Sequence, residues 1–288
     1  MDDRGGRGLA IEGPHGPVRL KWHKLRRKPQ DFPFDRDNLK RAVREGASCE
    51  VDLRRLGDGN FACLHDAELD RETNGTGSVV RTTTDRVKAL RLRHPHSGEL
   101  GDAPALLQEV SAELVAGPVH RDAVVQLDMK DDELMPSSAL DHFAAALEGC
   151  AHRFIAGGMS WPVIAALGRD VPGLRLGFDP LQLADEMLRG SAESLRLFGR
   201  TVVATARDAE IIYLSHELIA EAADLGVPIV EMFRSEGLSV DCWTLDPDQE
   251  SIRALLPLAV EMGVDQITTN APLALEVLWR DIAAPTGR

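Results

Sequence analysis

Long apolar runs are missing from this chain: no stretch approaches the ~18 apolar residues of a membrane helix. The first ten residues, MDDRGGRGLA, hold neither an apolar leader core nor a transit-peptide bias. These absences predict a soluble, cytoplasmic protein without a transmembrane segment. Cysteine is scarce, and Cys49, Cys63, Cys150 and Cys242 show no CxxC spacing. Three of them lie inside apolar, strand-like runs, so all four read as reduced core residues rather than as disulfides or a zinc site. Positive charge is short as well, with 33 Lys and Arg against 46 Asp and Glu and a net charge of −13. That excess repels phosphate backbones over most of the surface and excludes a general nucleic-acid binder. The dinucleotide fingerprint GxGxxG is also missing, since GDG at Gly57 to Gly59 and GTG at Gly75 to Gly77 read as turns.

What remains is an ordinary globular balance, 43% hydrophobic and 27% charged over 288 residues, which excludes disorder and low complexity. Short apolar runs alternate with helix-period segments. Val18 to His23, Cys49 to Leu53, Val124 to Lys130, Arg153 to Gly158, Leu174 to Pro180, Glu210 to Ser215, Ser239 to Leu245 and Gln266 to Asn270 read as strands. Helical candidates lie around Leu39 to Glu45, Leu106 to Val115, Ala139 to Leu147, Val163 to Leu167, Leu181 to Leu197, Ile229 to Ser235, Ile252 to Met262 and Leu273 to Ile282. This alternation is the arithmetic of a (β/α)8 TIM barrel, although a doubly wound open sheet would show it too. FACLH, Phe61 to His65, adds a hairpin partner after the second strand, a small insertion in the α/β pattern. No internal repeat or linker divides the chain, so a single domain over 1–288 is expected, with a core of about 18–280 and short flexible termini.

The chemistry begins where buried parallel strands carry charge. In CEVDL a strand's period of two puts Glu50 and Asp52 on one face, with Cys49, Val51 and Leu53 on the other. Asp128 and Lys130 likewise share a face in VVQLDMK. Three carboxylates offer hard oxygen ligands, which suit Mg2+ or Ca2+ better than zinc. Read alone, Glu50 and Asp52 would equally mark an exposed edge strand. His65 ends the run FACLH with Asp66 next to it, and His23 ends the first strand. Barrel active sites lie at the carboxyl ends of strands, and histidine serves as acid or base near neutrality. His15, His94, His96, His120, His142, His152 and His216 read as packing or surface residues. Arg19, Lys21, Lys24, Arg26, Arg27 and Lys28 surround His23 and form the strongest basic cluster of an acidic chain, placed to meet an anion.

The stretch Glu50 to Gly77, EVDLRRLGDGNFACLHDAELDRETNGTG, resembles the glycerophosphodiester phosphodiesterase family, whose pattern is ExD, a KDG-type turn, HD and LxRTTxGxG. APALLQEV (Ala103 to Val110), LDMK, SVDCWTLD and GVDQITTNAPLAL resemble further segments of that family, so the likeness runs roughly from Val18 to Leu278. It implies a single barrel that hydrolyses glycerophosphodiesters to an alcohol and glycerol 3-phosphate. It also implies a divalent cation, Mg2+ or Ca2+, on Glu50, Asp52 and Asp128, the last standing where the family has glutamate. His65 matches the HD histidine and Lys130 the family's phosphate-side lysine. His23 matches the histidine of the HRG motif, with Lys24 and Leu25 in place of arginine and glycine, and FPFD (Phe32 to Asp35) stands where the family has PENT.

On this reading His23 and His65 share the general acid and base roles. Lys24, Arg26 and Lys130 bind the phosphate, and Trp243 packs against the alcohol. The expected partner is a small-molecule phosphodiester. Asp128 also makes the strand similar to the FDLK-like strand of spider-venom sphingomyelinases and phospholipases D, which widens the alternatives to lysolipid or sphingolipid headgroups. Such an enzyme needs an apolar rim, and aromatics make up only 5% of the chain. A non-catalytic phosphodiester-binding barrel is the other alternative, against which both histidines and all three carboxylates argue.

Overall fold

The computed structural model describes residues 7–284. The expectations about the leader-free amino terminus and the short termini fall partly on 1–6 and 285–288, which lie outside the described residues. The strands among the described residues are β1 (Ala10–Gly13), β2 (Gly16–Trp22), β3 (Ser48–Arg55), β4 (Phe61–Cys63), β5 (Val124–Met129), β6 (Phe154–Gly158), β7 (Arg175–Phe178), β8 (Ile211–Ser215), β9 (Ser239–Trp243) and β10 (Gln266–Thr269). All eight strands read from the sequence are present. They form a closed eight-stranded parallel barrel with helices between the strands, the TIM-barrel arrangement. β4 pairs antiparallel with β3, as the FACLH hairpin predicts. β1, which the apolar patterning did not show, pairs antiparallel with β2 across a tight turn at Pro14 and His15.

The chain forms two compact units, one of Lys24–Arg26 and Gln30–Leu176. Here β3, β5 and β6 lie side by side in parallel, with Val51 opposite Leu127 and Leu127 opposite Ala156. The helix Arg36–Glu45 starts at Asp35, whose Oδ1 accepts the amides of Asp37 and Asn38 at 2.8 and 3.0 Å. It stops at Gly46, where φ is 85° and a Cβ would strike the His120 ring, so two constraints demand glycine. Phe61 and Phe143 meet edge to face at 5.5 Å in the core, each burying a side chain that contributes roughly 1.5–3 kcal/mol.

The other unit holds Arg27–Pro29 and the described parts of Met1–His23 and Gly177–Arg288. Trp22, Phe198, Phe233, Leu256 and Ile267 fill its core, and the Trp22 indole donates to the Gly8 carbonyl at 2.7 Å. The helix expected over Leu181 to Leu197 is two, Leu181–Met187 and Ala192–Thr205. Gly190 takes φ 62° between them, and the Ser191 hydroxyl caps the second by accepting the Ser194 amide. A helix at His216–Asp224 was not read from the sequence, although Ser215 caps it and Leu218, Ile219 and Ala222 form its buried stripe. Among the described residues no helix is long and apolar enough to cross a membrane. All four cysteines are buried and free; burial, then the Asp52 charge, pushes the Cys63 thiol far up, so it stays protonated.

Candidate active site

β3 and β5 place the three carboxylates together. Their register sets Glu50 opposite Gln126 and Asp52 opposite Asp128, and one oxygen from each of Glu50, Asp52 and Asp128 lies within 4.8 Å of the others. Glu50 and Asp52 are buried and Asp128 is half-buried. β3 has strand partners along both its ends, so the exposed-edge alternative is not met.

Two ammonium groups enter the cluster. Lys24 Nζ lies 2.9 Å from Asp52 Oδ2, and Lys130 Nζ lies 2.9 Å from Asp52 Oδ1 while also pairing with Asp128. Burial pushes the Asp128 carboxyl up; Lys130 pulls it back, but Glu50 and Asp52 add their repulsion and the balance is a raised value. Burial disfavours the Lys130 ammonium, yet Asp128, Asp52 and Glu50 outweigh that cost and hold it charged.

The first loop keeps an unusual backbone. Lys24, Leu25 and Phe34 have φ of 53°, 60° and 60°, a left-handed conformation that is costly for non-glycine residues and concentrates at functional sites. Leu25, which stands where the HRG resemblance has glycine, takes a left-handed conformation that glycine adopts without steric cost. The Phe34 amide, donating to the Lys24 carbonyl at 2.7 Å, clamps the loop.

His65 follows β4, and its side chain is 43% exposed. Its Nδ1 lies 3.0 Å from Asp66 Oδ1. Burial raises the Asp66 carboxyl, but the Arg71 fork, both of whose bonds are 2.6 Å, and His65 outweigh it and hold Asp66 below its ordinary range. Asp66 is thus a carboxylate, accepting from Nδ1–H of His65 and leaving Nε2 for proton transfer.

His23 and Trp243 belong to the other unit. His23 opens a short turn after β2 instead of ending the strand, and its Nδ1 lies 2.7 Å from Asn270 Oδ1. Asn270 Nδ2 donates to Asp246 Oδ2 at 2.6 Å, and Asp246 Oδ1 accepts the Asn270 amide at 2.7 Å and the Thr269 hydroxyl at 2.9 Å. The network fixes the amide orientation and so assigns Nδ1–H to His23. Trp243 closes β9, half-buried, with an indole N–H that meets no acceptor among the described residues.

The basic cluster around His23 is narrower than its sequence suggests. Lys21 does not belong to it: the side chain is buried, 3.4 Å from Asp241 and over the Tyr213 ring at 4.4 Å. Arg27 lies over the Trp22 ring at 5.2 Å. Lys24 and Arg26 do line a cleft of about 350 Å³ beside His65.

Several supporting residues escaped the sequence reading. Glu72 Oε2 accepts the amides of His65 and Asp66 at 2.8 and 2.7 Å and so shapes the turn that presents them. Arg54 donates to the carbonyls of His65 at 2.9 Å and Lys130 at 2.6 Å, joining the ends of β4 and β5. Glu72, Asp246 and Asn270 all lie within stretches that carry the family resemblance, yet nothing in those stretches marked them as supports for a histidine.

The model of the "Glycerophosphoryl diester phosphodiesterase family" matches residues 37–145, which include all three carboxylates, His65 and Lys130. A curated Mycobacterium tuberculosis protein named "Probable glycerophosphodiester phosphodiesterase 1" is 28% identical over 80% of this chain and 81% of its own. A glycerophosphodiester phosphodiesterase from Agrobacterium tumefaciens shares the fold with a TM-score of 0.63, at 20% identity over 90% of this chain and 99% of that one. An Oleispira antarctica phosphodiesterase, solved with the product sn-glycerol-3-phosphate, shares it with a TM-score of 0.64, at 14% identity over 90% and 95%.

Proposed function

We propose, from the match of the glycerophosphoryl diester phosphodiesterase family model to residues 37–145, that the chain belongs to that family and hydrolyses glycerophosphodiesters to an alcohol and glycerol 3-phosphate. The observation that carries this reading is the group of three carboxylates within 4.8 Å, with Lys130 set between two of them. A related phosphodiesterase of the same fold holds glycerol 3-phosphate as product, which supports the choice of substrate.

A phosphodiester is a stable monoanion. Its cleavage needs charge neutralisation, an activated oxygen nucleophile and protonation of a poor alkoxide leaving group. Glu50, Asp52 and Asp128 form an anionic, all-oxygen donor set, which fits a hard divalent cation, Mg2+ or Ca2+, and they would hold it. Bound there, the cation supplies Lewis-acid neutralisation at a phosphate oxygen. Lys130 brings further fixed positive charge to the same point, and Lys24 and Arg26 face the anion from the first loop. His23 and His65 divide the general base and general acid roles, each acting through Nε2 while Nδ1 is held by Asn270 or by Asp66.

The test is turnover of glycerophosphocholine and glycerophosphoethanolamine with Mg2+, Ca2+ or chelator, with glycerol 3-phosphate measured as product. Metal-dependent release of glycerol 3-phosphate is expected. Full turnover in excess EDTA by metal-free protein would overturn the cation's part, and no release under any condition would overturn the activity.

A further inference from the structure

The cleft beside His65 has a charge opposite to that of the protein as a whole. Lys24, Arg26, Arg71 and Arg93 line it against the carboxylates Asp66 and Glu72, in a chain whose net charge is −13. Both carboxylates are already engaged. Asp66 takes the Arg71 fork, and Glu72 accepts the amides of His65 and Asp66. Arg93 donates to the Thr73 carbonyl at 3.2 Å and pairs with no carboxylate among the described residues. Phe34 is the sole Phe, Tyr or Trp among the described residues of the lining, so the aromatic cage that suits a quaternary ammonium is not built.

This cleft adjoins the reacting groups. Lys24 lies in its wall and also 2.9 Å from Asp52, and His65 lies in the wall too. We propose that the cleft seats the departing alcohol and selects an alcohol that bears a second phosphate. The inference rests on the phosphodiesterase reading above. Arginine guanidinium groups match a phosphate's oxygens bidentately, and the buried side chains of Phe34 and Leu92 line the cleft beside them. A cationic alcohol such as choline would meet repulsion at the same place.

The test compares kcat/KM for glycerophosphoinositol 4-phosphate, glycerophosphoinositol and glycerophosphocholine on the purified full chain with its divalent cation. The phosphorylated alcohol should be favoured at least tenfold over the plain inositol diester, with choline poorest, and the gap should shrink as salt rises. Arg93→Gln should lower that preference several-fold in a protein whose circular dichroism is unchanged. Equal efficiency on the two inositol diesters would overturn the inference and leave the phosphodiesterase reading standing. Turnover of none of the three would overturn both.

Discussion

Asn270 holds His23: the ring Nδ1 lies 2.7 Å from the amide oxygen, and Asp246 fixes the amide from its other end at 2.6 Å. An aspartate, an asparagine and a histidine thereby form a chain that sets one tautomer. Asn270→Leu removes the acceptor while roughly keeping volume. Turnover should fall by about tenfold or more, less than the ~100-fold or more expected for His23→Ala, with KM little changed and the pH profile altered. Wild-type kcat in a folded Asn270→Leu protein would show that the tautomer is set elsewhere.

His65 rests on a charged partner, and that partner has its own pH dependence. The Asp66 carboxyl is held below its ordinary value of 3.8 by Arg71 and His65 against the effect of burial. A lowered folded value means that the pairing stabilises the fold fully above pH 3.8 and ceases to do so as pH falls through the folded value. Asp66→Asn should therefore lose stability at neutral pH and flatten the acid limb of the curve. Urea midpoints at pH 7 and pH 3 check this: an equal difference between variant and wild type at both would exclude the linkage. Turnover of His65→Ala should fall ~100-fold or more with the fold intact, and near-wild-type turnover would remove His65 from the mechanism.

Lys21 and Asp241 form a buried pair in the unit that holds His23. Gln266 Nε2 and Thr268 Oγ1 donate to the Asp241 oxygens at 2.6 and 2.7 Å, and Lys21 lies 3.4 Å away. Removing one partner of a buried pair strands the other charge at a cost of about 3–5 kcal/mol, whereas replacing both with apolar groups is often nearly neutral. Lys21→Met should thus lower the urea midpoint strongly and Lys21→Met with Asp241→Leu much less. A double variant as unstable as the single one would show that the loss comes from packing or from the Gln266 and Thr268 donors left without Asp241.

The eight strands were legible as short apolar runs between helix-period segments, with the family resemblance choosing a barrel over a doubly wound sheet, and the carboxylate cluster was legible because a period of two puts Glu50 and Asp52 on one face whatever lies around them. The His23 support was not legible: its partner stands 247 positions away, and only folding makes the two neighbours. Lys21 misled for the converse reason. It is next in sequence to the loop's other cations, yet its own partner is Asp241 on a distant strand. The helix His216–Asp224 was lost because its cap, Ser215, is also the last residue of β8, so the strand pattern absorbed the signal.

Lys24 and a divalent cation want the same carboxylate. Lys24 Nζ is 2.9 Å from Asp52 Oδ2, and Asp52 Oδ1 is already paired with Lys130, so a cation binding Asp52 must displace an ammonium or share its oxygen. Lys24→Met removes one competitor while keeping the length of the stem. Its divalent-ion affinity by calorimetric titration should rise about tenfold, equivalent to about 1.4 kcal/mol. Asp128 tests the other side of the same balance. Asp128→Asn keeps the size but deletes an anionic oxygen, so affinity should fall markedly, whereas Asp128→Glu keeps the charge and should be tolerated better. If Lys24→Met bound the ion no more tightly than wild type, Lys24 would leave Asp52 without cost. Equal affinities for wild type, Asp128→Asn and Asp128→Glu would place Asp128 outside the coordination sphere, with Glu50 and Asp52 holding the ion alone.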